Sequence, residues 1–147
     1  SPMRSIPNKL IEQTDIFVLY ELELTQVTGL TNSISSPEKA AQLALRWREQ
    51  IGKKTIVVTL GENGLVAIQD NKVIKQPAKR VAKVIDTTGA GDCFCGTLVA
   101  LLYKGYPLEE SLAFAQKTVA YSIQRRGASP SFPKLETLNI NETKGET

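Results

Sequence analysis

The stretch Lys54-Thr55-Ile56-Val57-Val58-Thr59-Leu60 limits most sharply what this chain can become. A nearly continuous β-branched run is the pattern of a strand buried on both faces, and such strands belong to parallel sheets covered by helices. Its flanks agree. Upstream, Ser36 can cap a helix, Pro37 suits the first helical position, and Glu38 lies where the helix dipole favours an anion. That helix should run to about Ile51 and end at Gly52, with Ala40, Leu43, Ala44 and Trp47 recurring at the spacing of a buried face. Trp47 is therefore read as core. Earlier still, Asp15 to Tyr20 read as a short strand and Glu21 to Val27 as a short helix closed by Gly29.

Beyond the run, Gly61-Glu62-Asn63-Gly64 form a turn, with Glu62 a solvated member of it. Leu65 to Gln69, Asp70-Asn71 and Val73-Ile74 then look like a hairpin. Val81 to Ile85 read as one more strand. Two helices follow, Asp92 to about Lys104 and Leu108 to about Gln124, separated by Gly105-Tyr106-Pro107. Strands alternating with helices predict a layered α/β fold: a mainly parallel sheet flanked by helices, with one local hairpin. After Pro133 the chain turns polar, so residues 1–133 read as the folded portion and 134–147 as a frayed tail.

Composition narrows the chemistry. The chain has 147 residues, 41% of them hydrophobic, which suits one core, and it contains no histidine. That excludes a Ser-His-Asp triad, an HExxH zinc site and an imidazole base, so proton transfer must fall to a carboxylate, Lys, Tyr or Cys. The 18 Lys+Arg against 15 Asp+Glu are spread in mixed clusters such as Lys79-Arg80, Lys83 and Arg125-Arg126, which gives little support to nucleic-acid binding. No apolar run approaches a membrane span, and the N-terminus lacks an apolar signal-peptide centre, so a soluble cytoplasmic protein with no membrane partner is expected. Two cysteines are too few for an all-cysteine zinc site or a disulfide framework, which favours a reducing compartment. Cys93 and Cys95 fall on different faces of one helix and read as packing residues. The sequon Asn141-Glu142-Thr143 in the polar tail reads as chance.

The segment Asp86-Thr87-Thr88-Gly89-Ala90-Gly91-Asp92 joins the expected strand to a helix whose first turn begins near Ala90. Small residues there admit a ligand close to the backbone, and the N–H groups at the helix start point outward without intrahelical partners. Gly89, Ala90, Gly91 and Asp92 thus outline an anion hole suited to phosphate. A carboxylate at that mouth repels phosphate if it only binds. It makes sense as a base that takes a proton from an attacking hydroxyl. The plainer reading is a strand-to-helix turn in which Asp92 answers the dipole.

Together with Phe94 and Gly96, this segment resembles the C-terminal signature of the ribokinase-like (PfkB) carbohydrate kinases. Thr59-Leu60-Gly61-Glu62-Asn63-Gly64 is similar to that family's nucleotide-binding strand and turn. Arg125-Arg126-Gly127-Ala128-Ser129-Pro130-Ser131-Phe132-Pro133 looks like the segment closing its cation and nucleotide site, and favours the ribokinase branch over the fructokinase and adenosine kinase branches. The resemblance implies the C-terminal portion of a Rossmann-like (ribokinase-like) fold that transfers the γ-phosphate of ATP to a sugar hydroxyl, with ribose the favoured acceptor. Asp92 would be the base and would meet the substrate. Gly89 to Asp92 would form the anion hole, and Thr59, Leu60, Gly61, Glu62, Asn63, Gly64, Gly91 and Gln116 would serve ATP. A monovalent cation, K+, would be held by Asp86, Thr88, Ser122, Arg125, Gly127 and Ser131, mostly through carbonyls. Glu23 would order Mg2+ through water.

Two departures from the pattern stand out. The family's Asn-x-x-Glu motif is Tyr20-Glu21-Leu22-Glu23 here, which keeps the acid and replaces the Asn. The half that supplies the family's sugar-binding residues and lid has no counterpart, so the chain is expected to be a fragment, a split gene product or a separate portion of a longer chain. It should need that half, and the complete protein could be a homodimer. The alternatives are a non-catalytic, kinase-like structural or regulatory subunit, and a kinase for deoxyribose, fructose, a nucleoside or a vitamin alcohol.

Overall fold

The computed structural model describes residues 7–29, 34, 36–79, 81, 84–85 and 89–124. They divide into two compact units, one ending at Ala78 and the other beginning at Lys79.

The first unit is built on the β-branched run. Helix α1 (Asn8–Gln13) leads into strand β1 (Ile16–Tyr20), followed by α2 (Glu21–Thr28) and α3 (Pro37–Ile51). Strand β2 (Thr55–Thr59) returns parallel to β1, with Phe17 opposite Ile56 and Tyr20 opposite Thr59. Its central residues Ile56, Val57 and Val58 are wholly buried, as expected for a strand covered on both sides. Strands β3 (Leu65–Gln69) and β4 (Lys72–Gln76) extend the sheet in the order β1-β2-β3-β4. The sheet is mixed, because only β1–β2 is parallel and both later pairings are antiparallel. Short connections decide this: a turn from β2 and a two-residue loop with Asp70 at φ 54° leave no length for the crossover that parallel strands need.

The caps behave as the sequence predicts. The Ser36 hydroxyl accepts the Lys39 N–H at 3.1 Å, and Gly52 closes α3 at φ 88°. Trp47 packs edge-on against Phe17 of β1, with ring centroids 5.1 Å apart. Both belong to a core that includes Leu19, Leu24, Ile56, Val58, Val66 and Ile68. Val57, Ala67 and Ile74 lie on the opposite face of the sheet and are buried as well. Arg48 is the exception among the charged residues of α3. It is buried, and its guanidinium donates to the carbonyls of Lys54 at 2.8 Å and Lys53 at 3.3 Å. Those bonds hold the turn in which Lys53 adopts φ 44°, unusual for a residue with a Cβ.

In the second unit, α4 (Ala90–Tyr103) packs against α5 (Leu108–Ser122), and Phe94, Leu98, Leu101, Leu112 and Phe114 of the two helices are all buried. The strand expected over Val81–Ile85 does not form among its described residues, Val81, Val84 and Ile85. The Ile85 N–H instead donates to the Ile123 carbonyl at 2.7 Å, one of the acceptors that a helix end leaves without a partner, and Val84 and Ile85 are exposed. The tail, 134–147, lies outside the described residues.

Removing the edge-on ring contact should cost far more than removing the cap. Trp47→Ala is expected to lower unfolding stability by about 3–5 kcal/mol and Ser36→Ala by about 1 kcal/mol, both read by urea denaturation.

Candidate active site

The residues singled out by the sequence fall into two groups, one in each unit. In the first unit they gather at the carboxyl ends of β1 and β2, the end of a parallel pair where open α/β sheets bind ligands. Thr59 is half-buried and its hydroxyl donates to the Leu19 carbonyl at 3.5 Å, tying the two strand ends together. Leu60 is buried in the core, so only its main chain is available to the turn. The turn closes on itself: Leu60 N–H donates to Gly64 O at 2.8 Å, Asn63 N–H to Leu60 O at 3.0 Å, and Gly64 N–H to Gly61 O at 3.1 Å. Gly61, Glu62 and Asn63 form a single exposed turn of 3-10 helix.

The two glycines of this turn differ. Gly61, at φ 58°, has open space where a Cβ would stand. Gly64, at φ 86°, has none: a Cβ there would overlap the Gln76 carbonyl oxygen and lie 2.9 Å from Ala78 N. Glycine at position 64 is thus demanded by the chain's own backbone, with no ligand needed to explain it.

Glu23 is the third residue of α2, and its Oε1 accepts the Tyr20 N–H at 2.8 Å. This is the return arm of a capping box. The donor is main chain, so the exchange of Asn for Tyr at position 20 leaves the anchor of the acid untouched. The Tyr20 side chain is half-exposed. Among the described residues no three His, Cys, Asp or Glu side chains cluster as a metal centre. A single carboxylate nevertheless fits Mg2+, which commonly takes one or two protein acids and completes its shell with water and substrate phosphates.

In the second unit, Gly89 adopts a left-handed φ of 74° at the start of α4 and offers no side chain as a cap. The first helical bond runs from Cys93 N–H to Gly89 O at 2.8 Å, so Ala90, Gly91 and Asp92 are the residues whose N–H groups precede the intrahelical ladder. Cys93 and Phe94 turn inward, and Asp92 is exposed. Burial pushes the Cys93 thiol up to about 11, which makes it inert packing. Neither cysteine forms a disulfide.

Gln116 is half-buried and Ser122 buried on α5. The Ile85–Ile123 hydrogen bond holds the residue before Asp86 against the residue after Ser122. Asp86, Thr88, Arg125, Gly127 and Ser131 lie outside the described residues. Sequence reasoning missed Arg48 and the structural demand on Gly64, since neither leaves a local pattern.

A profile of the pfkB family carbohydrate kinases matches residues 1–135. The chain belongs to that family. It is 36% identical over 134 residues to a ribokinase of Arabidopsis thaliana, covering 90% of this chain and 35% of that protein. To a ribokinase of Staphylococcus aureus (strain COL) it is 34% identical over 142 residues, covering 95% of this chain and 45% of that one. The solved structure of Arabidopsis thaliana ribokinase complexed with ribose and ATP superposes with a TM-score of 0.81 at 34% identity, covering 92% of this chain and 43% of that chain. The chain therefore spans less than half the length of these curated relatives. Among the described residues, no helix is long and apolar enough to cross a membrane.

The unequal glycines give a test that needs no ligand. Gly64→Ala should destabilise the protein by at least about 3 kcal/mol through backbone overlap, whereas Gly61→Ala should cost only about 1–2 kcal/mol of left-handed strain, both measured by urea denaturation.

Proposed function

We propose that this chain is the nucleotide-binding and catalytic portion of an ATP-dependent sugar kinase, with ribose as acceptor and Asp92 as the base. The observation that carries the reading is the start of α4: an exposed carboxylate in the first turn of a helix that opens on a left-handed glycine and has no side-chain cap. Membership in a carbohydrate kinase family supports the reaction class. Similarity to two ribokinases, and to a ribokinase solved with ribose and ATP, supports the acceptor.

In this reading the Asp92 carboxylate accepts the proton of a sugar hydroxyl as that oxygen attacks the γ-phosphorus of ATP. The bond from the γ-phosphorus to the bridging oxygen breaks, ADP leaves, and the proton on Asp92 passes to solvent. The main-chain N–H groups from Gly89 to Asp92 answer the negative charge of the transferring phosphoryl group, and the helix dipole adds to them. Thr59 and the exposed turn from Gly61 to Asn63 serve the nucleotide in the first unit, with Leu60 and Gly64 shaping that turn; Gly91 and Gln116 serve it in the second. Glu23 would hold Mg2+ through water, and the metal would offset charge on the phosphates. Ser122, with Asp86, Thr88, Arg125, Gly127 and Ser131, would hold K+. Two cysteines outside any disulfide suit a cytoplasmic setting.

The test is transfer of phosphate from ATP to ribose by the natural full-length polypeptide. Asp92→Asn should lower kcat by about 10²–10⁴-fold while ATP binding is retained. Equal turnover by the two proteins would contradict Asp92 as the base, and an unmutated protein inactive on ribose and other sugars and nucleosides would favour a structural or regulatory role.

A further inference from the structure

Strand β4 is the last in the sheet, and among the described residues no strand pairs with its outer edge. The hairpin settles which main-chain groups lie there. With Asp70 and Asn71 as the loop, Gln69 and Lys72 are the closing pair, so hydrogen bonds to β3 recur at Lys72, Ile74 and Gln76. The N–H and C=O groups of Val73 and Lys75 therefore face outward. The side chains of these two residues lie on the sheet face that α3 covers, where they border an open groove with Glu38, Ala41, Gln42 and Leu45. Ala41 is buried, whereas Leu45 and Val73 remain 39% and 40% exposed. Beside them the Lys75 ammonium lies 3.7 Å from the Glu38 carboxylate.

We propose that this edge takes up an extended acidic segment of a partner protein as an added strand, with apolar side chains at alternate positions seated between Leu45 and Val73. An open ladder supplies the main-chain hydrogen bonds of such strand addition, and a groove that receives every second side chain supplies selectivity. Charge decides the occupant. Lys72, Lys75, Lys79, Arg80 and Lys83 fall between Asn71 and Ile85 with no acid among them, and Lys72, Lys75 and Lys79 are exposed. Lysines on an edge guard it against a strand of like charge, including a second copy of β4, whose lysines would face these. They attract glutamate and aspartate instead. A nucleic acid would answer the charge but leave the groove and the open ladder unused. The groove and the edge lie wholly within the first unit, so strand addition there asks nothing of the chemistry at α4.

The experiment titrates the natural full-length polypeptide into a fluorescein-labelled synthetic peptide of alternating glutamate and valine, read by fluorescence anisotropy. Saturable one-to-one binding is expected. A peptide of the same residues with all glutamates before the valines should bind at least about tenfold more weakly, as should the Leu45→Glu protein. Val73→Pro should do the same, since it removes an outward N–H and no hydrogen bond to β3. Lys104→Glu, a charge reversal at the C-terminal end of α4, should bind as the parent does. Circular dichroism melts establish that each variant folds as the parent does, and Leu45→Glu, on the exposed side of α3, decides the matter if Val73→Pro does not. Absence of binding, equal binding of the two peptides, or indifference to Leu45→Glu would each overturn the proposal. So would a homodimer lost on Val73→Pro, or a single-stranded RNA oligonucleotide taken up in place of the peptide.

Discussion

The packing of α4 on α5 fixes the rotation of α4 about its own axis, and the chemistry proposed for this protein depends on that rotation. With Phe94, Leu98 and Leu101 buried on one side of the helix, Asp92 has to face outward. The same phase carries Gly96, Val99 and Tyr103 into the open on one line with it. A residue inserted between Asp92 and Phe94 would rotate the carboxylate by roughly a quarter turn away from that line, with the helix otherwise intact.

The first unit solves a related problem with main-chain hydrogen bonds. Thr59 and Tyr20 are brought level by the parallel register of β1 and β2, and the capping contact from Tyr20 N–H holds the Glu23 carboxylate at that end of the sheet. Because the donor is backbone, the side chain at position 20 can vary while the acid stays placed. The turn after β2 is held by its own three hydrogen bonds and by Gly64 against the chain leaving β4. Its exposed residues are therefore presented on a rigid support.

Much of this is legible in the sequence because it is local. Ser36, Gly29 and Gly52 mark helix ends through their own backbone chemistry, and the β-branched run announces a buried strand. The position of Asp92 at a helix start follows from the same kind of reading. What escapes is non-local. The hairpin of β3 and β4 is legible, but its antiparallel pairing onto β2 depends on connection length, and the supposed strand at Val81–Ile85 yields its N–H at Ile85 to a helix end remote in sequence. Arg48 has the chemistry of a surface residue, and only the fold reveals that its charge is spent on two carbonyls of the next turn. Gly64 reads as a ligand glycine until the chain at Gln76 is seen to occupy its space.

Whether the start of α4 receives phosphate is reported most directly by backbone amide shifts. On titrating the isotope-labelled protein with Mg2+ and a non-hydrolysable ATP analogue, the amides of Ala90, Gly91 and Asp92 should shift most within the second unit. Saturable shifts elsewhere, with these three amides unmoved, would mean that the start of α4 does not receive the phosphate.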